Sequence, residues 1–277
     1  MNGDTMSGRM ELITPEIATA LLASRPSDAN RTQRKMRQGR VAAYCRDRLA
    51  GRWAITHQGI AIDTNGQLID GQHRMMMVVN TKLPTWFWVV RGVPSHPDTM
   101  HHIDDQLMRT VLDSCHIAGE NVNRDDITIA RSFHSYPGIE TDKCTTAFNT
   151  RAEVLDTLAK WRDGISFASR LPRKCGITRA IRILVARAYY HVDIDRLGEF
   201  CAILDNGMTI SANAREDAAA VSLRNYLLRT TSASGRSHEA ERYRKGQSCL
   251  RSFMRREPLD KVYSCEADLY PVIMPAG

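Results

Sequence analysis

The chain has 277 residues, of which 43% are hydrophobic and 25% are charged, and its formal net charge at pH 7 is +7. These values are those of an ordinary soluble globular protein with one large domain or two modest ones. The longest strongly apolar run, residues 85–90, is too short to span a bilayer, and residues 1–17 lack the apolar region of a signal peptide. Seven scattered cysteines without a C-x-x-C pair favour a reduced, cytoplasmic protein.

The positive charge is concentrated in two segments. Residues 31–52 contain eight Lys or Arg and a single acid, Asp47. Residues 224–256 contain nine Lys or Arg against two acids, Glu239 and Glu241. Basic segments with few balancing acids suggest a nucleic acid or nucleotide phosphates as the partner, and two solvated helix faces are the alternative.

The first predicted helix begins at Thr14, a good N-cap residue, with Pro15 in the first turn. Its predicted apolar face consists of Ile17, Leu21 and Leu22. A second helix is predicted over residues 40–53, with Gly51 at the position that follows a helix end. The residues that this second helix is expected to bury are Val41, Tyr44, Cys45 and Leu49.

A β section follows the two helices. Residues 59–63 and 67–70 flank Asn65-Gly66, which is a strong signal for a hairpin. A short helix over residues 73–82 and a strand over residues 85–93 come next. The aromatic residues of that strand are expected in the core and on the sheet face rather than in a base-stacking platform.

Beyond about Ile117 the pattern becomes helical, and no alternating strand is evident. The sequence therefore predicts an α+β domain over residues 1–117 and an all-helical, basic domain over residues 118–277. Helical periodicity in the second domain covers residues 150–161, 177–192, 196–204, 214–229 and 238–256.

The junction of the second strand and the third helix carries an unusual set of polar residues, Asp70 to Arg74. A helix start offers unpaired N–H groups and a partial positive charge to an anion. Gly71 would let a ligand approach, Gln72 and His73 bring donors, and Arg74 has a planar fork suited to phosphate. Asp70 is expected to bind a metal, act as a base or cap the helix. A purely structural corner is the alternative.

Residues 63–79, with the run D-G-Q-H-R, resemble the signature of the ParB/sulfiredoxin-like superfamily. Its members carry a strand, a run of the D/G-G-x-H-R or G-E-R-R type, and then a helix. Residues 30–63, which include a G-R-W run, and residues 88–93 with 102–113 are similar to ParB-like proteins of phages, plasmids and actinobacteria. The resemblance implies a small mixed α+β domain of that superfamily.

The activities of the superfamily share nucleotide phosphate binding. The resemblance implies ATP or CTP with Mg²⁺ as cofactors and Gly71, Gln72, His73 and Arg74 as phosphate ligands. Gln72 stands where sulfiredoxins have a cysteine, so sulfinic acid reduction is not expected. The G-E-R-R form is absent, which argues against a CTP clamp of the partition type.

Three further residues are candidates for the same site. The resemblance extends to an I-D-x-G-x-x-R-T element, where Asp104 would join Asp70 in holding the metal and Arg109 would make a second phosphate contact; Gln106 replaces its usual glycine. Thr56, on or near the first predicted strand, would face the ligand. For Asp104 and Arg109 the alternative is a capped helix with a surface ion pair. For Thr56 it is an ordinary strand edge.

The function expected from these features is that of a nucleotide-dependent phosphotransferase or NTPase acting on or with DNA. Asp70, His73 and Arg74 would carry the chemistry, and the helices of residues 31–52 and 224–256 would hold DNA. A non-enzymatic, partition-like DNA-binding regulator and a metal-dependent nuclease are the alternatives. No membrane partner is expected, and a homodimer is left open.

Overall fold

The protein is described by a computed structural model and divides into two compact units. The first comprises Met1–Arg109 with Thr146–Ala152, and the second comprises Thr110–Thr145 with Glu153–Gly277. The residues that the structure describes are 6–25, 36–94, 110–117, 119–134, 150–172, 175–259 and 261–272.

The first unit is a mixed α+β structure built on a four-stranded sheet with the order β1-β4-β2-β3. The outer pairs, β1 with β4 and β2 with β3, are antiparallel, and β2 runs parallel to β4. The strands are β1 (Ser7–Ile13), β2 (Ile60–Asp63), β3 (Leu68–Asp70) and β4 (Thr85–Val93). The predicted Asn65-Gly66 hairpin is confirmed, because it joins β2 to β3 with Gly66 at φ 76°.

Strand β1 is absent from the predicted order of elements. It lies at the edge of the sheet and pairs with β4, so that Met10 is opposite Trp88 and Leu12 is opposite Trp86. Only its last residue, Ile13, is buried. The alternation of Arg9, Met10, Glu11 and Leu12 is a short strand pattern, and its apolar members, Met10 and Leu12, are exposed rather than buried.

Three helices pack against one face of this sheet. They are α1 (Pro15–Ala23), α2 (Gln38–Leu49) and α3 (Gln72–Thr81). The predicted N-cap is confirmed, because the hydroxyl of Thr14 accepts a hydrogen bond from the N–H of Ile17 over 3.3 Å. The prediction that Ile17 and Leu49 lie in the core is wrong, since both side chains are exposed. Ala18 and Leu22 face the core in α1, and Leu49 is the last residue of α2.

The regular elements in the described part of the second unit are all helices, and residues 257–259 and 261–272 follow the last of them without regular structure. Its core surrounds a helix, α7, in which every residue from Ala180 to Ala188 is buried. Within the described ranges, no helix has the length and apolar content needed to cross a membrane. The helices are α4 (Val111–Ile117), α5 (Arg124–Ser132), α6 (Arg151–Ser169), α7 (Arg179–Ala188), α8 (Ile194–Asn206), α9 (Ala214–Arg229) and α10 (Arg236–Met254).

Two of these helices, α4 and α5, were not predicted. The predicted domain boundary after residue 117 lies at the end of α4. Along the chain, the first unit instead gives way to the second between Arg109 and Thr110. Helix α5 begins with a capping box in which Asn123 and Asp126 each accept a backbone N–H of the other. Both helices are short, so each offers few turns over which a period can be recognised.

Candidate functional site

The turn from β3 into α3 depends on Gly71. Its φ of 102° is strained for any residue with a side chain. A Cβ placed there would lie 2.5 Å from Cδ1 of Ile60. The missing side chain therefore makes room for Ile60 in the core of the first unit.

The first turn of helix α3 contains no acid, and Gly71, its N-cap residue, has no side chain to accept from that turn. The nearest carboxylate in the sequence, Asp70, is exposed and accepts the N–H of Gly71 through Oδ1 over 2.7 Å. Asp70 therefore lies beside the helix start and offsets part of its positive charge, while the N–H groups of the first turn have no side-chain cap.

A second helix start meets the first. The backbone N–H of Arg37 donates to Nε2 of His73 over 3.1 Å. Arg37 is the N-cap residue of α2, and this helix too has no side-chain cap and no acid in its first turn. The positive ends of two helices therefore converge on His73.

The contact with Arg37 determines which nitrogen of His73 carries the proton. Nε2 accepts a hydrogen bond, so the neutral ring holds its proton on Nδ1. Burial lowers the pKa of His73, and the positive charges of Arg40, Arg37 and Arg74 lower it further, while Asp70 opposes them. His73 is therefore a neutral hydrogen-bond donor at pH 7, which suits contact with an anion and does not suit proton abstraction.

Arginines lie on more than one side of this corner. Arg74 donates through Nη1 to the carbonyl of Gly59 over 3.0 Å, which fixes the loop before β2. Arg25 donates through Nη1 to Oε1 of Gln72 over 3.3 Å. Because the side chain of Gln72 is buried, it binds Arg25 within the protein, and the structure gives no support for a direct contact from its amide to a ligand.

The remaining candidates are less well placed or lie elsewhere. Thr56 is exposed in the loop before β2, not in the strand, and its hydroxyl donates to the carbonyl of Gln58 over 3.4 Å. Asp104 and Arg109 lie outside the described residues. Within the described part of the chain, no three His, Cys, Asp or Glu side chains are close enough together to hold a metal ion.

Sequence reasoning identified Asp70 to Arg74 but did not connect them with three arginines. Arg25, Arg37 and Arg40 reach the corner from α2 and from the end of α1. The only signal in the sequence was the positive charge of residues 31–52. That signal does not specify a contact between residues 36 positions apart.

Two other arginines in the described part of the first basic segment have partners within the protein. Arg48 donates to the hydroxyl of Thr85 and to the carbonyl of Pro84, over 2.9 and 3.1 Å. Arg52 pairs with Asp47. Arg31, Arg34 and Lys35 lie outside the described residues. The predicted basic helix of residues 31–52 is therefore not a single cationic face in its described part.

Four of the nine Lys and Arg side chains of the second basic segment pair with carboxylates. Arg242 is 3% exposed and pairs with Glu239. The other ion pairs of this segment are Arg244 with Glu266, Lys245 with Glu241, and Arg256 with Glu216. The charge counted in the sequence of residues 224–256 thus overstates the charge that α10 offers to a polyanion.

The aromatic residues of β4 divide between the two faces of the sheet. Phe87 is buried in the core, as predicted. Trp86 and Trp88 are 50% and 38% exposed on the opposite face. The described cations of these two strands, Arg9 and Arg91, fall at the alternate positions that point away from the face of Trp86 and Trp88, so β1 and β4 supply no cation beside these rings.

Comparison of the chain with protein-family models, with curated proteins and with solved structures gave no match.

Proposed function

We propose that the first unit binds a nucleotide through its phosphates at the corner where α2 and α3 begin. The observation that carries this proposal is the hydrogen bond from the N–H of Arg37 to His73, which brings two helix N-termini together. Neither first turn contains an acid. We also propose membership of the ParB/sulfiredoxin-like superfamily, because the order of strand β3, the run from Asp70 to Arg74 and helix α3 is the order that the resemblance implies.

The donors of the corner suit a phosphate group. Helix N-termini bind anions through backbone N–H groups and the helix dipole. His73 adds a neutral N–H, and Arg74 adds a guanidinium that Gly59 holds through one nitrogen. Arg40 contributes positive charge beside the ring of His73. A di- or triphosphate needs this combination of charge and directed donors.

We propose ATP or CTP with Mg²⁺ as the form bound. Mg²⁺ is usually held by one or two carboxylates together with phosphate oxygens. Asp70, exposed at the rim of the corner, is the carboxylate that would supply the protein ligand. Phosphoryl transfer or hydrolysis would then depend on positioning and charge neutralisation by His73 and Arg74.

The other expectations have weaker support. DNA binding by residues 224–256 would have to compete with the ion pairs of α10. The described residues contain no group of three or more candidate metal ligands, so a nuclease, like the phosphotransferase, would depend on a metal held partly by the phosphates of its substrate. A nucleotide-binding protein, with phosphotransferase or NTPase activity, is therefore the function that the described geometry favours.

Thermal unfolding of the full chain with each of the four ribonucleoside triphosphates, with and without Mg²⁺, tests the proposal. We expect ATP or CTP to raise the unfolding temperature, and Arg74→Ala to weaken binding by roughly tenfold, as for loss of a charge-assisted hydrogen bond. Arg229→Ala, which removes an exposed arginine of α9, should bind as the unmodified protein does. If no triphosphate stabilises the unmodified chain, the proposal is wrong.

The same preparation separates binding from turnover. Asp70→Asn should retain nucleotide binding in the absence of Mg²⁺ and lose any release of phosphate in its presence. If Asp70→Asn releases phosphate at an unchanged rate, Asp70 does not hold the metal that supports turnover.

A further inference from the structure

Strand β1 forms one edge of the sheet in the first unit, and β4 is the only described strand that pairs with it. All seven of its residues pair with β4, and the register contains no bulge. The opposite edge, β3, has only three residues. Natural edge strands are commonly shortened, bulged or blocked by proline or lysine, and β1 has none of these features. Its outer backbone N–H and C=O groups can therefore pair with another strand.

The sequence of β1 is complementary to itself. A two-fold axis perpendicular to a sheet pairs an edge strand antiparallel with its own copy, and the residue on the axis is then opposite itself. Met10 is the middle residue of β1, so an axis at Met10 pairs the full length of both strands. The opposed residues in this register are Ser7 and Ile13, Gly8 and Leu12, Arg9 and Glu11, and Met10 with itself.

The charged residues of β1 favour this register over its neighbours. With the axis at Met10, Arg9 of each copy is opposite Glu11 of the other. An axis at Arg9 or at Glu11 would instead place like charges opposite each other, which destabilises a strand pair. The side chain of Arg9 is 75% exposed, so it can turn toward a second copy. Glu11 accepts from Nη2 of Arg91 over 2.7 Å, which fixes its carboxylate in position.

The apolar side chains of β1 fit the same register. The indole of Trp88 lies over Gly8, since a Cβ on that glycine would be 2.6 Å from Cζ2 of the ring. With the axis at Met10, Leu12 of the second copy would be opposite Gly8 and would pack beside this ring. Met10 and Leu12 are 39% and 41% exposed in the single chain, so both would gain cross-strand neighbours on pairing.

We propose that the protein forms a homodimer in which β1 pairs antiparallel with β1 of a second copy, across a two-fold axis at Met10. The pairing joins two four-stranded sheets into one of eight strands. Backbone hydrogen bonds hold the two strands together, and the pairs of Arg9 with Glu11 and of Gly8 with Leu12 set the register. Because β3 lies at the opposite edge of the sheet, the candidate phosphate site at its end is not part of this interface.

Sedimentation velocity of the full chain, at concentrations up to about 100 µM, tests the proposal. We expect a dimer whose fraction rises with concentration. Arg9→Glu and Glu11→Arg should each weaken self-association at least roughly tenfold, because each places like charges opposite one another. An equimolar mixture of the two variants should restore the dimer, because every charged pair of the mixed dimer is again of opposite sign. Arg229→Glu, a charge reversal at an exposed position of α9, should associate as the unmodified chain does.

Cross-linking with a short thiol-specific reagent tests the register without changing a charge. Met10→Cys places two thiols opposite each other, with Cβ atoms about 4.5–5.5 Å apart, so the reagent should link the two copies. Leu12→Cys is the matched control, since its exposure is similar. Its two thiols would be offset by four residues, or about 13 Å along the strands, and should not be linked. The unmodified chain gives the background from the seven native cysteines.

Three results would overturn the proposal. The first is a monomer at every concentration of the unmodified chain. The second is a dimer that both charge reversals leave intact, which would place the contact on another surface. The third is linking of Leu12→Cys as fast as that of Met10→Cys, which would exclude an axis at Met10. If a charge variant does not fold, the two cysteine variants decide the question.

Discussion

Residues 36–52 and 224–256 are alike in sequence, since both are rich in arginine and poor in acids, yet their cations have different surroundings. At the start of α2, the charges of Arg37 and Arg40 lower the pKa of His73, and the first turn has no acid. In α10, Arg242 and Lys245 pair with carboxylates one turn away. The number of basic residues therefore does not measure the positive charge that a surface offers to a ligand.

The largest effect on the free energy of unfolding is expected for Arg242, the buried arginine of α10. Arg242 donates to Glu239 over 2.7 Å and also to the carbonyls of Thr230 and Ala233. Arg242→Met should lower the free energy of unfolding of the second unit by about 3–5 kcal/mol, because a buried carboxylate contact and two carbonyls lose their donor. Urea denaturation followed by circular dichroism measures this change.

The matched control for this substitution is Arg229→Ala, at an exposed position whose Nε donates to the carbonyl of Asn225 over 3.2 Å. It should change the free energy of unfolding by no more than about 0.5 kcal/mol. Equal effects of the two substitutions would mean that Arg242 is not structural, and that the cations of α10 remain available to a polyanion.

A smaller effect is expected at the corner. Gly71→Ala adds both a strained φ and a contact with Ile60, so it should destabilise the first unit by about 2–4 kcal/mol. Gly66→Ala, in the hairpin turn at φ 76°, meets nothing within 4 Å. It should lower the free energy of unfolding by about 1–2 kcal/mol, because only the positive φ is unfavourable for alanine there. Denaturation of the two variants side by side measures the difference, and equal losses would contradict a packing role for Gly71.

What could be predicted from the sequence was decided by local chemistry. The N-cap at Thr14 and the hairpin at Asn65-Gly66 depend on residues within a few positions of each other, and both predictions are confirmed. Strand β1 pairs with β4, about 80 residues away in the register Met10 to Trp88, and its one local sign is the four-residue alternation from Arg9 to Leu12. The capping box at Asn123 is also a local pattern, since its two partners lie three residues apart.

The candidate site, too, has a part that local sequence predicts and a part that depends on distant residues. The run from Asp70 to Arg74 identified the corner because a strand, a glycine and a helix start are adjacent there. The contact of Arg37 with His73 and that of Arg25 with Gln72 depend on how α1, α2 and α3 pack. Helix packing of this kind is set by side chains distant in the sequence, and one sequence by itself does not specify it.

The smallest effect concerns the titration of His73, on which the charges of the corner act directly. Burial and the charges of Arg40, Arg37 and Arg74 lower its pKa from 6.5, against the opposing effect of Asp70. A pKa lowered on folding means that the first unit has its full stability above pH 6.5 and loses part of it as the pH falls through the lowered pKa.

Arg40→Ala should raise the pKa of His73 toward its ordinary value and reduce this loss of stability at acidic pH. Among the neighbouring charges, that of Arg40 has the largest effect on this pKa. Titration of the ring by NMR and denaturation over the same pH range measure both consequences. Arg9→Ala, which removes an exposed cation that pairs with Glu11 on β1, is the control and should leave the titration of His73 unchanged. If Arg40→Ala shifts the pKa no more than Arg9→Ala does, the start of α2 contributes little charge at His73, and the two basic segments are more alike than their contacts indicate.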